Sequence, residues 1–284
     1  MKVLETPEAM NGWSRTVRAN GGAIGLVPTM GYFHEGHVSL MRAAKRENDQ
    51  TVVSLFVNPT QFGPNEDLAR YPRDFERDST MAADAGVDVL FCPAAKAMYP
   101  DGYRTYVEVE ELGAVLCGAS RPGHFRGVTT VVAKLFHIVE PHAAYFGQKD
   151  YQQSVIIRKM AADLNIGVTI QVLPTVREAD GLAMSSRNTY LSPDERRQAP
   201  VLYRGLLEAE AAYRTGERRA IALRAKVEAD VKTAPAARVD YIEVVHPDTL
   251  KPVETIGTGG AVLALAVFVG KTRLIDNIIL KERA

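Results

Sequence analysis

The chain has 284 residues, with Lys+Arg 34 balanced by Asp+Glu 34 for a formal net charge of zero. That length predicts one large or two medium domains with ample core. The charge balance leaves no global field to draw in nucleic acid or an anionic membrane. Only two cysteines occur, Cys92 and Cys117, in no CxxC or Cys/His cluster, so free buried thiols in a reducing cytosol are expected.

Residues 1–20 lack the basic-then-apolar pattern of a secretion signal. The longest apolar stretch, residues 261–269, is about half of what a membrane-spanning helix needs. Both observations predict a soluble, cytoplasmic chain.

The first strand-length apolar run covers residues 23–28 and leads into Pro28-Thr29-Met30-Gly31-Tyr32-Phe33-His34-Glu35-Gly36-His37. A helical pattern over 37–48 follows, with Val38, Leu40, Met41 and Ala44 on one face. A helix's first turn has unpaired N–H groups and a partial positive charge, which together make an anion site. Residues three apart share a helix face, so His34 and His37 can address one phosphate. Gly31 and Gly36 permit close backbone approach. The competing reading makes these histidines ordinary surface or capping residues.

A second strand is expected over 51–58, ending at Asn58-Pro59-Thr60-Gln61-Phe62-Gly63. The amides of Asn58 and Gln61 suit a small polar substrate, whereas an Asn-Pro turn accounts for Asn58 alone. A helix over 74–85 and a strand over 87–92 come next. Residues 121–127 (Arg-Pro-Gly-His-Phe-Arg-Gly) precede a helix over 128–139 and read either as a basic flap or as an exposed loop. A strand over 143–146 then meets Gly147-Gln148-Lys149-Asp150 and a helix over 151–164. Lys149 is placed to meet phosphate as a point charge at a helix start. Asp150 and Gln153 have capping-box spacing, which explains the helix start but not the lysine. A fifth strand over 167–173 completes an alternation of apolar strands and helices. The pattern predicts a doubly wound parallel sheet with ligands outside the strands' carboxyl ends.

After Pro174 the period is lost, and residues 175–188 read as a loop. Met184-Ser185-Ser186-Arg187 offers two hydroxyls and a guanidinium to a phosphate, or is simply solvated linker. Its place at the apparent domain junction favours the first reading. Ser192-Pro193-Asp194-Glu195 is a capping box. Helices to about residue 216 and over 219–232 follow, then strands over 239–245, 262–269 and 272–279. The expected organisation is a Rossmann-like domain over 1–175 and a smaller α+β domain over 176–284. The chain has no GxxxxGK[ST] loop, no strand-coupled GxGxxG and no GxSxG.

The run from Pro28 to His37 resembles the HIGH motif of the nucleotidyltransferase superfamily, and Met184–Arg187 its KMSKS-type partner. Together with Val57-Asn58-Pro59-Thr60-Gln61-Phe62, Gly123-His124-Phe125-Arg126-Gly127-Val128, Phe146-Gly147-Gln148-Lys149-Asp150 and Asp180-Gly181-Leu182-Ala183-Met184-Ser185-Ser186-Arg187-Asn188, the strings resemble the pantothenate synthetase (pantoate–β-alanine ligase) family along essentially the whole chain. The resemblance implies joining of D-pantoate and β-alanine with ATP and Mg²⁺, through a pantoyl adenylate, releasing AMP and pyrophosphate. It implies nucleotide contacts from Met30, Gly31, Tyr32, Phe33, His34, Glu35, Gly36 and His37, with His37 as proton donor. Gly147, Gln148, Lys149, Asp150, Val176, Met184, Ser185, Ser186 and Arg187 would complete that pocket, and Gln61 and Gln153 would bind pantoate. His34, Lys149, Ser185, Ser186 and Arg187 would join His37 in offsetting charge on the phosphates. Gln148 stands where other members carry Glu. The resemblance further implies a homodimer, with no nucleic acid or membrane partner and no protein ligand assigned to the metal. Rival readings are another adenylyl-transfer enzyme, and a nucleotide-binding regulator without activity.

Overall fold

A computed structural model describes every residue except Asn65, Arg283 and Ala284. The chain divides into two compact units. The first comprises residues 1–114, 121–148 and 153–174, and the second residues 115–120, 149–152 and 175–284.

In the first unit the elements run β1 (Lys2–Leu4), α1 (Pro7–Ala19), β2 (Ile24–Thr29), α2 (Glu35–Glu47), β3 (Gln50–Leu55), α3 (Phe75–Asp84), β4 (Val89–Phe91) and α4 (Ala95–Met98). The short α5 (Cys117–Ser120) belongs to the second unit, and α6 (His124–Val139), β5 (Ala143–Gly147), α7 (Tyr151–Asp163) and β6 (Thr169–Leu173) follow. Six strands form one parallel sheet in the order β1-β4-β3-β2-β5-β6. The predicted doubly wound sheet is therefore present. Strand order reverses beside β2, whose Gly25 and Leu26 pair with Ala143 and Ala144 of β5. Such a reversal leaves a crevice at the carboxyl ends of the strands. Val27, Val53, Leu90, Met41 and Phe33 are buried together against this sheet.

The sequence reading assigned nothing to residues 1–20, where β1 and α1 lie. Helix α1 has local support that the reading passed over: Thr6 caps it by accepting from the Ala9 N–H, and Pro7 occupies its first turn. Strand β3 stops at Leu55, short of the predicted residue 58. Pro59 has no N–H to extend a ladder, and Asn58 instead caps a 3₁₀ turn over Pro59–Gln61.

The second unit contains α8 (Pro193–Gln198), α9 (Val201–Arg214), α10 (Ala220–Val231) and the antiparallel sheet β7 (Ala237–Val245), β8 (Ala261–Val269), β9 (Thr272–Leu280). This is the expected α+β arrangement. The capping box at Ser192 and Glu195 forms in both directions. Leu202 and Leu206 of α9, Leu223 and Val227 of α10, and Leu263 and Leu265 of β8 share one core. The predicted loop after Pro174 contains a small hairpin: Arg177 bridges Ala183, and the Met184 N–H donates to the Val176 carbonyl.

Candidate active site

The turn after β2 is strained and firmly held. Gly31 and Tyr32 take left-handed φ values of 85° and 52°, a conformation that costs a residue with a side chain about 1 kcal/mol or more. A Cβ on Gly31 would sit 3.1 Å from Asp78 Oδ2 and 3.3 Å from Leu55 Cδ2. Asp78, buried on α3, accepts the N–H groups of Tyr32 (2.6 Å) and Phe33 (2.7 Å). Burial pushes its carboxyl above the usual range, opposed by those two N–H donors and by neighbouring Arg77. Arg77 donates to the Phe33 carbonyl at 2.7 Å and places its guanidinium 5.0 Å from the Tyr32 ring centre.

His34 and His37 form the first turn of α2. The Gly36 N–H donates to His34 Nδ1 (3.2 Å), and the His34 N–H donates to His37 Nδ1 (3.3 Å). The two rings lie 4.1 Å apart and 36° from parallel. With each Nδ1 accepting, a neutral ring carries its hydrogen on Nε2. The capping and phosphate readings are thus compatible, since they use opposite sides of the same imidazoles. The N–H groups of Tyr32, Phe33, His34, Gly36, His37 and Val38 are all given to protein acceptors.

The turn after β3 meets the turn after β2, with Gln61 Nε2 3.1 Å from Met30 Sδ. Asn58, expected to touch substrate, is tied into the protein on several sides. It is buried, its Nδ2 donates to Gln61 Oε1 (3.0 Å) and to the Gly127 carbonyl (3.1 Å), and its Oδ1 accepts from Tyr99 and Thr60. Every hydrogen-bonding capacity of that amide is used. Asn58 thereby fixes the side chain of Gln61.

Residues 121–127 clamp this turn. Arg121 grips Glu66 through two bonds of 2.6 Å, and His124 Nδ1 lies 2.8 Å from the Gln61 carbonyl. Burial alone would raise Glu66, but the bond and charge of Arg121 hold it below the ordinary carboxylate range. Gly127 makes the close approach possible, because a Cβ there would lie 2.3 Å from the Thr60 carbonyl oxygen. Gly147 and Gln148 lie at the carboxyl end of β5, next to β2 in the sheet, and Gln153 is half-buried in the first turn of α7.

The second unit holds Lys149, Asp150, Val176 and Met184 to Arg187. Asp150 sits within a 3₁₀ turn ahead of α7, its carboxylate 3.6 Å from Lys149 Nζ. Ser185 begins a 3₁₀ segment over Ser186–Tyr190 and accepts the Arg187 N–H at 3.3 Å. Ser186 is buried.

A protein-family profile for pantoate-beta-alanine ligase matches residues 2–279. The chain belongs to the pantoate–β-alanine ligase family. The pantothenate synthetase of Moorella thermoacetica is 58% identical over 281 residues, covering 99% of this chain and 99% of the relative. That of Geobacter sulfurreducens is 54% identical over 282 residues, again covering 99% of each. Among solved structures, the pantothenate synthetase of Thermus thermophilus matches with a TM-score of 0.94 at 46% identity, over 99% of this chain and 100% of that one. The Francisella tularensis pantoate–β-alanine ligase, solved with β,γ-ATP and β-alanine, matches with a TM-score of 0.81 at 36% identity, over 100% of this chain and 99% of that one. As a pantoate–β-alanine ligase, the chain is an enzyme. The sequence reading missed Asp78, Tyr99 and the close contact at Gly127, whose partners are remote in sequence and leave no local pattern.

Proposed function

We propose that this ligase condenses D-pantoate with β-alanine at the expense of ATP, through an enzyme-bound pantoyl adenylate, releasing AMP and pyrophosphate. The observation that carries the reading is the adjacent pair His34 and His37, with rings 4.1 Å apart and Nδ1 atoms capping α2, beside Gln61 at the carboxyl ends of β2 and β3. The β,γ-ATP and β-alanine bound to the Francisella relative support the same substrates here.

A carboxylate is a poor acyl donor, so it must first be activated. A pantoate oxygen attacks the α-phosphorus, and the bond to the β-phosphate bridging oxygen breaks to release pyrophosphate. His34 and His37 donate hydrogen bonds from Nε2 to phosphate oxygens. Lys149, Arg187 and the hydroxyls of Ser185 and Ser186 offset the charge that develops there. Gln61, pinned by Asn58, donates to pantoate together with Gln153. The neutral amine of β-alanine then attacks the acyl carbon, AMP leaves, and the ammonium proton passes to solvent. No side-chain nucleophile is needed.

Mg²⁺ would come with the nucleotide substrate and supply neutralisation of phosphate charge. Neither of two buried carboxylates suits a resident ion: Asp78 in the first unit faces backbone N–H groups, and Asp276 in the second faces Arg177. Among the described residues no cluster of three or more His, Cys, Asp or Glu could hold a metal. We place the enzyme in the cytoplasm as a homodimer. Among the described residues no helix is long and apolar enough to cross a membrane.

Exchange of labelled pyrophosphate into ATP tests the reading directly. It should require pantoate and proceed without β-alanine. Exchange that needs β-alanine, or ignores pantoate, would rule out the adenylate.

A further inference from the structure

Strand β9 carries two adjacent polar side chains, Asp276 and Asn277, that are 3% and 2% exposed. Neighbours on a strand point to opposite faces, so such a pair can serve two different segments. The Asn277 side-chain amide donates to the main-chain carbonyl of Lys149, Nδ2 to O 3.0 Å. That carbonyl lies in the 3₁₀ turn ahead of α7. Holding it fixes the peptide plane from which the lysine side chain departs.

Asp276 reaches the other segment. Both its oxygens receive the Arg177 guanidinium, at 2.5 Å and 2.9 Å, and Oδ1 also accepts the Asn277 N–H at 2.8 Å. Arg177 in turn donates to the Gly181 carbonyl (3.1 Å) and lies 3.5 Å above the Tyr203 ring. It stands at the root of the hairpin that closes through Arg177 to Ala183 and Val176 to Met184. Ser185, Ser186 and Arg187 follow without a break. A buried ion pair adds little net stability over well-packed apolar residues of the same size. What the bidentate geometry does supply is direction.

We infer that Asp276 and Asn277 are positioning residues, through which one strand sets the separation between Lys149 and the Ser185–Arg187 segment. The inference rests on the reading that these two segments act on the phosphates of ATP. Neither β9 residue needs to touch substrate.

The test is a double-mutant cycle on the intact enzyme, pairing Asn277→Ala with Lys149→Ala. Asn277→Ala should lower kcat about five- to tenfold, as for one lost hydrogen bond, with pantoate KM within about twofold. In the Lys149→Ala background the same change should cost less than about twofold, since the group it positions is already gone. Asn277→Asp keeps the shape but turns an acceptor toward the carbonyl, and should lose at least as much. If the alanine variant fails to fold, the aspartate variant carries the same cycle. Equal losses in both backgrounds, or parental kcat in the Asn277 variants, would overturn the positioning role while leaving that of Lys149 intact. Near-normal turnover of Lys149→Ala alone would remove the phosphate role of Lys149, and the inference with it.

Discussion

In His34 and His37 one ring nitrogen shapes a helix end, and on the proposed reading the other serves chemistry. Each Nδ1 accepts a backbone N–H of the same turn, so ring orientation and tautomer are set before any ligand arrives. Replacing His37 by alanine should lower kcat by about 10²-fold or more, the scale for removing a donor to developing charge. Pantoate KM should stay within about threefold, since the lost contact is to phosphate. Steady-state kinetics would decide, and near-normal kcat would refute the role. Asp78 holds the same turn from α3, with consequences for stability. Burial raises its folded-state pKa, so the folded protein binds that proton more tightly than the unfolded chain does. Its stability contribution is present below the unfolded value of about 3.9 and is lost as pH rises through the raised folded value. Asp78→Asn removes the titration and one of two acceptors, at a cost of about 1–3 kcal/mol. The gap in urea midpoint between parent and variant should therefore be wider near pH 3.5 than near pH 7. A gap that widens toward pH 7 would mean that the two N–H bonds and Arg77 outweigh burial.

Helix α6 and the 3₁₀ turn after β3 act as a matched pair of elements. Asn58 ties the turn to the Gly127 carbonyl, and the missing side chain of Gly127 lets the turn sit against the helix. Because the clash would be with backbone, Gly127→Ala cannot be relieved by a rotamer change. It should cost about 1–3 kcal/mol, as overpacking does, and displace Gln61, raising pantoate KM more than ATP KM. Parental stability and pantoate KM would show that the turn yields freely. Residues 121–127, open between flap and loop in the sequence, belong to this clamp through Arg121 and His124. Periodicity revealed most elements here, because α2, α9 and β8 repeat their apolar residues within a few positions. It gave no element at α1, which carries an apolar row at Met10, Trp13 and Val17 behind the cap of Thr6 and Pro7, or at β1, which is only three residues long.

Across the whole molecule, Lys+Arg and Asp+Glu cancel, so attraction for a polyanionic substrate has to be local. The homodimer is proposed on family resemblance, and sedimentation equilibrium should give the mass of two chains. A single-chain mass at assay concentration would dismiss it. The parallel sheet and the α+β second unit were legible in the linear chain, as were the short motifs from which His34, His37, Gln61, Lys149 and Ser185 to Arg187 are proposed as site residues, because strand runs, helix periods, caps and short motifs are all local. What aims those groups was not. Asp78 reaches the Tyr32 N–H from 46 positions away, Asp276 meets Arg177 across 99, and Asn277 meets the Lys149 carbonyl across 128. Contacts of that kind follow no repeat, since they exist only after packing brings distant backbone within hydrogen-bond range. Tertiary structure therefore decided that Asn58 holds Gln61 and the Gly127 carbonyl together, and that N–H groups of the histidine turn are already taken.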